Sequence, residues 1–333
     1  TVKTSNLCSE ITLPTGIDKS GRDRTAVCCL SSLNLETYDE WKDEKIMLED
    51  IMKFLDNVLT DFITRAPESF SDATYAAMRE RSVGLGVMGF HSFLQKNSIP
   101  IESVMAKVWN NKMFKQIDKE VNAASVKLAE ERGPCPDAAD YGIMERFSNK
   151  TAIAPTASIS IICGGASPGI EPVAANSYTH KTLSGSFNVR NKYLKQILAK
   201  YEKDTDEVWS SITTNQGSIS HLDFLSDLEK DVFKTAFEID QRWLIDHSAD
   251  RTPYVSQAQS LNVFLPADVH KKDLHQIHFQ AWKKGLKSMY YCRSKSIQRA
   301  EVINQTVANA AKNQPAETTN GEAANYEECL SCQ

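Results

Sequence analysis

In the stretch SNLCSEITLP, residues 5–14, a carboxamide, a thiol and a carboxylate occupy every second position: Asn6, Cys8 and Glu10. In an extended segment the three project to one side, with apolar Leu7 and Ile11 on the other. That arrangement suits a reactive thiol flanked by a hydrogen-bonding amide and by a carboxylate acting as general base. A solvated strand edge accounts for the same polar alternation, and the spacing leaves both readings open.

Further thiols and hydroxyls add to this. RTAVCCLSSLNL (24–35) carries adjacent Cys28 and Cys29, and the chain ends in Cys329-Leu-Ser-Cys332. A CxxC pair can bind zinc, but zinc takes four ligands, and neither a second CxxC nor a His pair accompanies this one. A dithiol on a polar tether is better suited to exchange with a disulfide elsewhere through a mixed disulfide. Cys8, Cys28 and Cys29 are candidate acceptors, whereas Cys135 and Cys163 read as small buried hydrophobes. PTASIS (155–160) resembles a loop that cradles phosphate through backbone N–H groups and hydroxyls, although Ser/Thr loops are common. Tyr290 and Tyr291, if in a strand, face opposite ways, one buried and one not. RSVGLGVMGFHSFL (81–94) allows close backbone packing, but its GLG lacks the context of a dinucleotide fingerprint.

The elements that must position these groups are mixed. Residues 5–14 and 24–35 read as extended or strand. KIMLEDIMKFLDNVLTDFI (45–63) has apolar residues at helical spacing. A long helix runs over 104–133, ending at Gly133 before Pro134. TAIAPTASISIICGGASPGIEP (151–172) reads as a strand followed by a small-residue loop. Helices follow over 193–202 and 223–248. SLNVFLP (260–266), DLHQIHFQAWKKGLK (273–287) and SMYYC (288–292) form a βαβ unit, which argues for parallel strands. From about 311 few apolar residues remain, and a mobile tail is expected.

The chain has 333 residues, 41% of them hydrophobic, enough for a sizeable core and an α/β class. A net charge of −5 speaks against a nucleic-acid surface. There is neither a signal peptide nor an apolar run long enough to cross a membrane. Eight scattered cysteines fit working thiols in a reducing cytoplasm better than a disulfide scaffold. The cluster at residues 6–10 lies unsupported near the start, so a separate N-terminal partner is expected.

SNLCSEI, CLSSLNL, GLGVMGF, APTASIS, GIEP, SLNVFL, WKKGLKSMYY and the terminal CxxC, in this order, resemble the large, catalytic subunit of class I ribonucleotide reductase over essentially the whole chain. They match the C-terminal half or so of that subunit. The resemblance implies an α/β fold: the second half of the ten-stranded reductase barrel over 1–310, with a finger loop at about 3–14 and a redox-active tail at 311–333. A half-barrel has open edges, so the missing half is expected to be needed for proper folding. Cys8 would become the thiyl radical that abstracts the ribose 3′-hydrogen, Glu10 would take the 3′-hydroxyl proton, and Asn6 would bond to the ribose. Cys28 matches one member of the cysteine pair that reduces the 2′ position, with the adjacent Cys29 leaving a one-residue ambiguity. Cys329 and Cys332 match the tail pair recharged by thioredoxin or glutaredoxin. Tyr291 and Tyr290 match the radical relay from the small subunit. Thr156, Ala157, Ser158 and Ile159 match the substrate-phosphate loop; Ile159 replaces a common hydroxyl residue, so it offers only its backbone N–H. The family binds no cofactor directly here; the radical comes from a metal-containing small subunit, and no metal site is expected in this chain.

Three other readings compete. A cobalamin-dependent reductase shares barrel, thiyl and tail, but makes its radical locally and needs no tyrosine pair. A glycyl-radical enzyme would carry its glycine where this chain has a dithiol. A non-catalytic remnant would have no need of Cys8, Glu10, the tyrosines and the CxxC together. Thr1 also fits the residue after a spliced intein, which would make the enzyme one continuous chain.

Overall fold

The computed structural model describes residues 2–44, 46–182 and 185–294. Its frame is a run of parallel segments in chain order. β1 (Leu30–Asn34) pairs in parallel with β2 (Gly84–Met88) along their whole length. Parallel bridges from Leu85 to Thr151 and from Ile153 to Gln259 extend the sheet through residues 151–153 to residues 258–260. An antiparallel hairpin, β3 (Ser177–Thr182) with β4 (Gly185–Arg190), is an excursion between those two segments. The fourth segment runs on into β5 (Val263–Leu265), which pairs in parallel with β6 (Cys292–Ser294). Five parallel segments in sequence order are what the second half-barrel requires.

Parallel neighbours cannot be joined by a tight turn, so helices carry the chain back each time. Met47–Arg65 and Ser71–Glu80 lie between β1 and β2, Val104–Arg132 after β2, Gln241–Arg251 before the fourth segment, and Lys271–Lys283 between β5 and β6. The first of these buries Leu48, Met52, Leu55 and Leu59, spaced at one helical face. Val104–Arg132 starts where the Ser103 hydroxyl accepts from the Ala106 N–H, 3.1 Å away, and stops at Gly133, whose φ is +83°.

The two faces of the sheet differ in what they pack. Cys29, Leu33, Leu85, Val87, Ile153, Leu261 and Val263 join the main core with the helices. The opposite face is stripped of side chains where the N-terminal residues approach. There Ile11 and Leu13 pack on Ala152, Ala26 and Leu30. A Cβ on Gly84 would lie 2.3 Å from Leu30 Cδ2, and one on Gly86 would lie 2.3 Å from the Ala152 carbonyl oxygen. The GLG of the sequence is therefore a packing device, as its lack of fingerprint context suggested.

One buried ionic node ties the helices to one another and to the loop at Arg146. Asp56, fully buried, accepts from Arg81, Arg132 and Arg146. Burial opposes its charge, but the three guanidinium groups hold its carboxyl below the usual range.

Several element boundaries differ from the sequence reading. The helix expected over 223–248 is two, Asp227–Val232 and Gln241–Arg251. Between them Glu238 accepts from the Thr235 N–H and hydroxyl, and Asp240 caps the second helix at the Arg242 N–H. These side chains take backbone donors that a continuous helix would need. The β3–β4 hairpin and the helix Asp206–Thr214 had no counterpart in that reading. No described helix is long and apolar enough to cross a membrane. Cys329, Cys332 and the rest of the expected tail lie outside the described residues.

Candidate active site

The first residues form a hairpin, not a straight extended segment. Val2 bridges antiparallel to Pro14, and the Ser9 N–H donates to the Asn6 carbonyl at 3.1 Å. The chain reverses over Leu7–Ser9, with Ser9 at φ +65°. Strand alternation does not pass through a turn, so shared parity is not what groups Asn6, Cys8 and Glu10. Asn6 closes the turn instead, its Oδ1 accepting from the Ile11 N–H at 3.0 Å. Leu7 is thrown outward at 63% exposure, while Cys8 and Glu10 are each 2% exposed.

The fourth sheet segment holds the hairpin in place. The Ala258 N–H donates to the Glu10 carbonyl at 2.9 Å. Gln257 accepts from the Thr12 N–H at 3.1 Å and donates to the Val83 carbonyl at 3.1 Å, so it joins the hairpin to the sheet. The Ser260 hydroxyl lies 2.5 Å from the Cys8 carbonyl oxygen and 3.1 Å from Glu10 Oε2. Sequence reasoning did not single out Ser260 or Gln257. The signal available was the run of polar residues in SQAQSLN, leading into an apolar strand.

Cys28 and Cys29 separate cleanly. Cys29 is in the main core, 8% exposed, with its thiol directed at the Leu55 carbonyl. Cys28 lies between Ala26 and Leu30, the two residues that pack on the hairpin face. Its residue surface is exposed, yet the protein around the sulfur removes enough water to push the thiol up to about 11, with the Glu10 carboxylate adding to that. Of the adjacent pair, it is Cys28 whose thiol feels the Glu10 carboxylate. The expectation of inert buried thiols holds for Cys135, which is fully buried, and fails for Cys163, which is exposed just after a one-turn helix.

The 155–162 segment leaves the C-terminal end of the third sheet segment, the end at which open α/β sheets bind ligands. Thr156 is buried at φ +52°, and its hydroxyl accepts from the Gly169 N–H at 2.7 Å. That side chain shapes the loop from within. Ala157 is exposed, and Ser158 and Ile159 are half-buried at the entry to the helical turn Ile159–Ile162. N–H groups at such an entry have no intrahelical acceptor.

The tyrosines do not face opposite ways. Tyr290 and Tyr291 have ring centroids 4.0 Å apart at an interplanar angle of 38°. Tyr290 is half-buried and Tyr291 is 47% exposed, with the Arg293 guanidinium 5.5 Å from its ring centre. The Tyr290 N–H bonds the carbonyl of Leu261, next to Ser260, at 2.8 Å. Nearby, Glu171 of GIEP is buried and accepts from the Asn262 amide. Burial raises its carboxyl to about 7, partly offset by Arg293 and by that hydrogen bond.

The structure therefore sets Cys8 and Glu10 together through Ser260, and bonds the backbone of the stacked tyrosines to the residue after Ser260. A separate cleft of about 810 Å³ lies beyond the hairpin, lined by Asp18, Arg24, Tyr75, Arg79 and Asp137 among others. Its ionic groups already pair with one another, and none of the expected site residues lines it.

Comparison with known proteins identifies the family. A family profile described as ribonucleotide reductase, barrel domain, matches residues 1–140 and 137–292. The ribonucleoside-diphosphate reductase large subunit of Invertebrate iridescent virus 6 is 50% identical over 301 residues, 89% of this chain and 31% of that protein. The putative large subunit of Frog virus 3 (isolate Goorha) is 41% identical over 335 residues, 100% of this chain and 55% of its own length. The solved Actinobacillus ureae class Id ribonucleotide reductase alpha subunit superposes with a TM-score of 0.81 at 40% identity, covering 89% of this chain and 54% of that one. The chain spans between about a third and about half the length of these relatives.

Proposed function

Because the chain belongs to the ribonucleotide reductase barrel-domain family, we propose that it is the C-terminal portion of a class I catalytic subunit. With an N-terminal portion and a radical-generating small subunit, it reduces ribonucleoside diphosphates to 2′-deoxyribonucleoside diphosphates. The observation that carries this reading is the placement of Cys8 and Glu10 by one hydroxyl, that of Ser260, which bonds the Cys8 carbonyl oxygen and the Glu10 carboxylate.

In this reading Cys8, as a thiyl radical, takes the 3′-hydrogen of the ribose and becomes a thiol. The 3′-hydroxyl gives its proton to Glu10 and the 2′-hydroxyl takes one as it leaves as water, so no net proton is gained or lost at this step. Cys28 and a second cysteine in the N-terminal portion supply two electrons and two protons to the sugar and become a disulfide. Cys8 then returns its hydrogen to the 3′ position and is a radical again. Cys329 and Cys332 reduce the disulfide by exchange and are themselves recharged by thioredoxin or glutaredoxin. Asn6 contributes to ribose binding through its amide nitrogen, since its oxygen is engaged with Ile11. The phosphates sit on Thr156, Ala157, Ser158 and Ile159, chiefly on backbone N–H groups. The stacked pair Tyr291 and Tyr290 relays the radical from the small subunit, whose metal generates it. That stack favours an external radical source over a cobalamin formed in place. Work with thiols in this number belongs in a reducing compartment, the cytoplasm.

The test is CDP reduction by this chain alone, and mixed with an N-terminal large-subunit polypeptide and a small subunit, with Cys8→Ser as control. Activity is expected in the mixture and absent in the control. Removing Cys329 and Cys332 abolishes turnover with thioredoxin but leaves part of it with a small dithiol. Equal behaviour of the tail variant and Cys8→Ser with that dithiol overturns the assignment of roles. Bound partners without turnover point to a remnant subunit. Failure to bind points to one continuous spliced chain.

A further inference from the structure

The stacking of two tyrosines adjacent in sequence needs an explanation, because a regular strand places neighbours on opposite faces. The hydrogen bonds supply one. In a regular parallel ladder, a residue whose carbonyl accepts from the Val263 N–H gives its own N–H to the Leu261 carbonyl. Here Tyr291 accepts from Val263 at 3.0 Å, but Tyr290 donates to Leu261 at 2.8 Å. Two residues therefore occupy one place opposite Asn262, which is a β-bulge.

The bulge displaces the Tyr291 N–H from the ladder, and Asn262 receives it. Asn262 is 1% exposed, and its Oδ1 accepts from the Tyr291 N–H at 2.8 Å. Its Nδ2 donates to Glu171 Oε1, which fixes the orientation of the carboxamide. Glu171 is 8% exposed, so the pair works with little help from solvent.

We propose that Asn262, oriented by Glu171, is the positioning residue of the tyrosine pair: it holds the bulge that turns Tyr290 and Tyr291 ring to ring. The importance of this for catalysis rests on the reductase reading above. There, a hydrogen atom, one proton with one electron, passes from the Tyr290 hydroxyl to a Tyr291 phenoxyl, leaving the phenoxyl on Tyr290. Rings on opposite faces of a strand would not be in contact for that exchange.

Two readouts test the proposal on the chain assembled with its N-terminal portion and small subunit. The first is the ring separation in crystal structures of Asn262→Ala and Glu171→Gln. Asn262→Ala is expected to restore a regular ladder and move the centroids beyond about 7 Å, outside aromatic contact. Glu171→Gln still offers Oε1 to Asn262 and is expected to keep the stack. The second is steady-state kinetics: kcat of Asn262→Ala falls at least about 100-fold while KM for the nucleotide is unchanged, the split expected when only the reacting geometry is lost. If Asn262→Ala does not fold, Glu171→Leu, which fills the buried volume without an acceptor, is read in the same way. Rings still within contact in Asn262→Ala, or in Glu171→Leu where that variant is read in its place, overturn the proposal whatever the activity. A wild-type assembly without turnover overturns the reductase reading instead, and the ring separation still decides the positioning role.

Discussion

Removing the Ser260 hydroxyl should loosen the hairpin at Cys8 and Glu10, the residues to which the proposed chemistry is assigned. Ser260 is 1% exposed, and its one hydroxyl proton is shared between the Cys8 carbonyl at 2.5 Å and Glu10 Oε2 at 3.1 Å. In Ser260→Ala both oxygens lose that donor in a site with little access to water. An unsatisfied buried acceptor costs about 1–3 kcal/mol, with the upper part of the range appropriate when a carboxylate is involved. Urea denaturation of the assembled enzyme measures this loss, and a cycle with Glu10→Ala isolates the pairwise part. Coupling between residues in contact runs at roughly 0.5–3 kcal/mol, whereas independent sites add within about 0.3–0.5 kcal/mol. In the CDP assay, a carboxylate set wrong by about 1 Å costs on the order of 100-fold in kcat, with little effect on KM. A coupling below about 0.3 kcal/mol, or an unchanged kcat, would refute the claim that Ser260 sets Glu10.

Three further outcomes follow from other parts of the molecule. Glu80 is 2% exposed and its carboxyl is raised by burial from 4.5 to about 7. It favours folding fully below about pH 4.5 and loses that contribution as pH rises through 7. Glu80→Gln should therefore gain up to roughly 3 kcal/mol at pH 8 and little at pH 4.5, on the usual conversion of about 1.4 kcal/mol per pH unit; a gain independent of pH sinks this. Gly86→Ala would drive a Cβ to 2.3 Å from the Ala152 carbonyl oxygen, and should cost about 1–3 kcal/mol and speed amide exchange at Ala152, whose N–H bonds Leu85 at 3.4 Å. Alkylation at pH 8 should modify Cys28 before the core Cys29, and Glu10→Gln should speed it by lowering the Cys28 thiol; preferential labelling of Cys29 would reverse their assignment.

The helices and parallel order were legible because their signals are local. Leu48, Met52, Leu55 and Leu59 repeat at helical spacing, and the last βαβ unit is readable without reference to anything distant, although its second strand falls at Cys292–Ser294 and not over 288–292. Cys8 and Glu10 stood out by residue type, but what places them was not legible. Their placement depends on a turn at Ser9 and on a hydroxyl 250 residues away at Ser260. Cys28 and Cys29 could not be told apart by spacing, since one residue of register inverts both side chains. The tyrosine stack was misread for a related reason. A bulge breaks the alternation on which the reading relied, and its cause lies in Asn262, on the neighbouring strand. The β3–β4 hairpin was missed because THKTLSGSFNVR carries few of the apolar residues by which strands announce themselves.

The sheet has two outward rims. Among the described residues β1 pairs only with β2, and β6 only with β5. Because all five segments run in one direction, the rims are complementary cohesive ends, much as on a cut duplex. A β6 rim that met the β1 rim of another copy would not reverse direction, and such a contact would be head-to-tail. Head-to-tail contacts close into a ring or continue as a filament. In the reductase reading, an N-terminal half that covers both rims would take away the ends on which such growth depends.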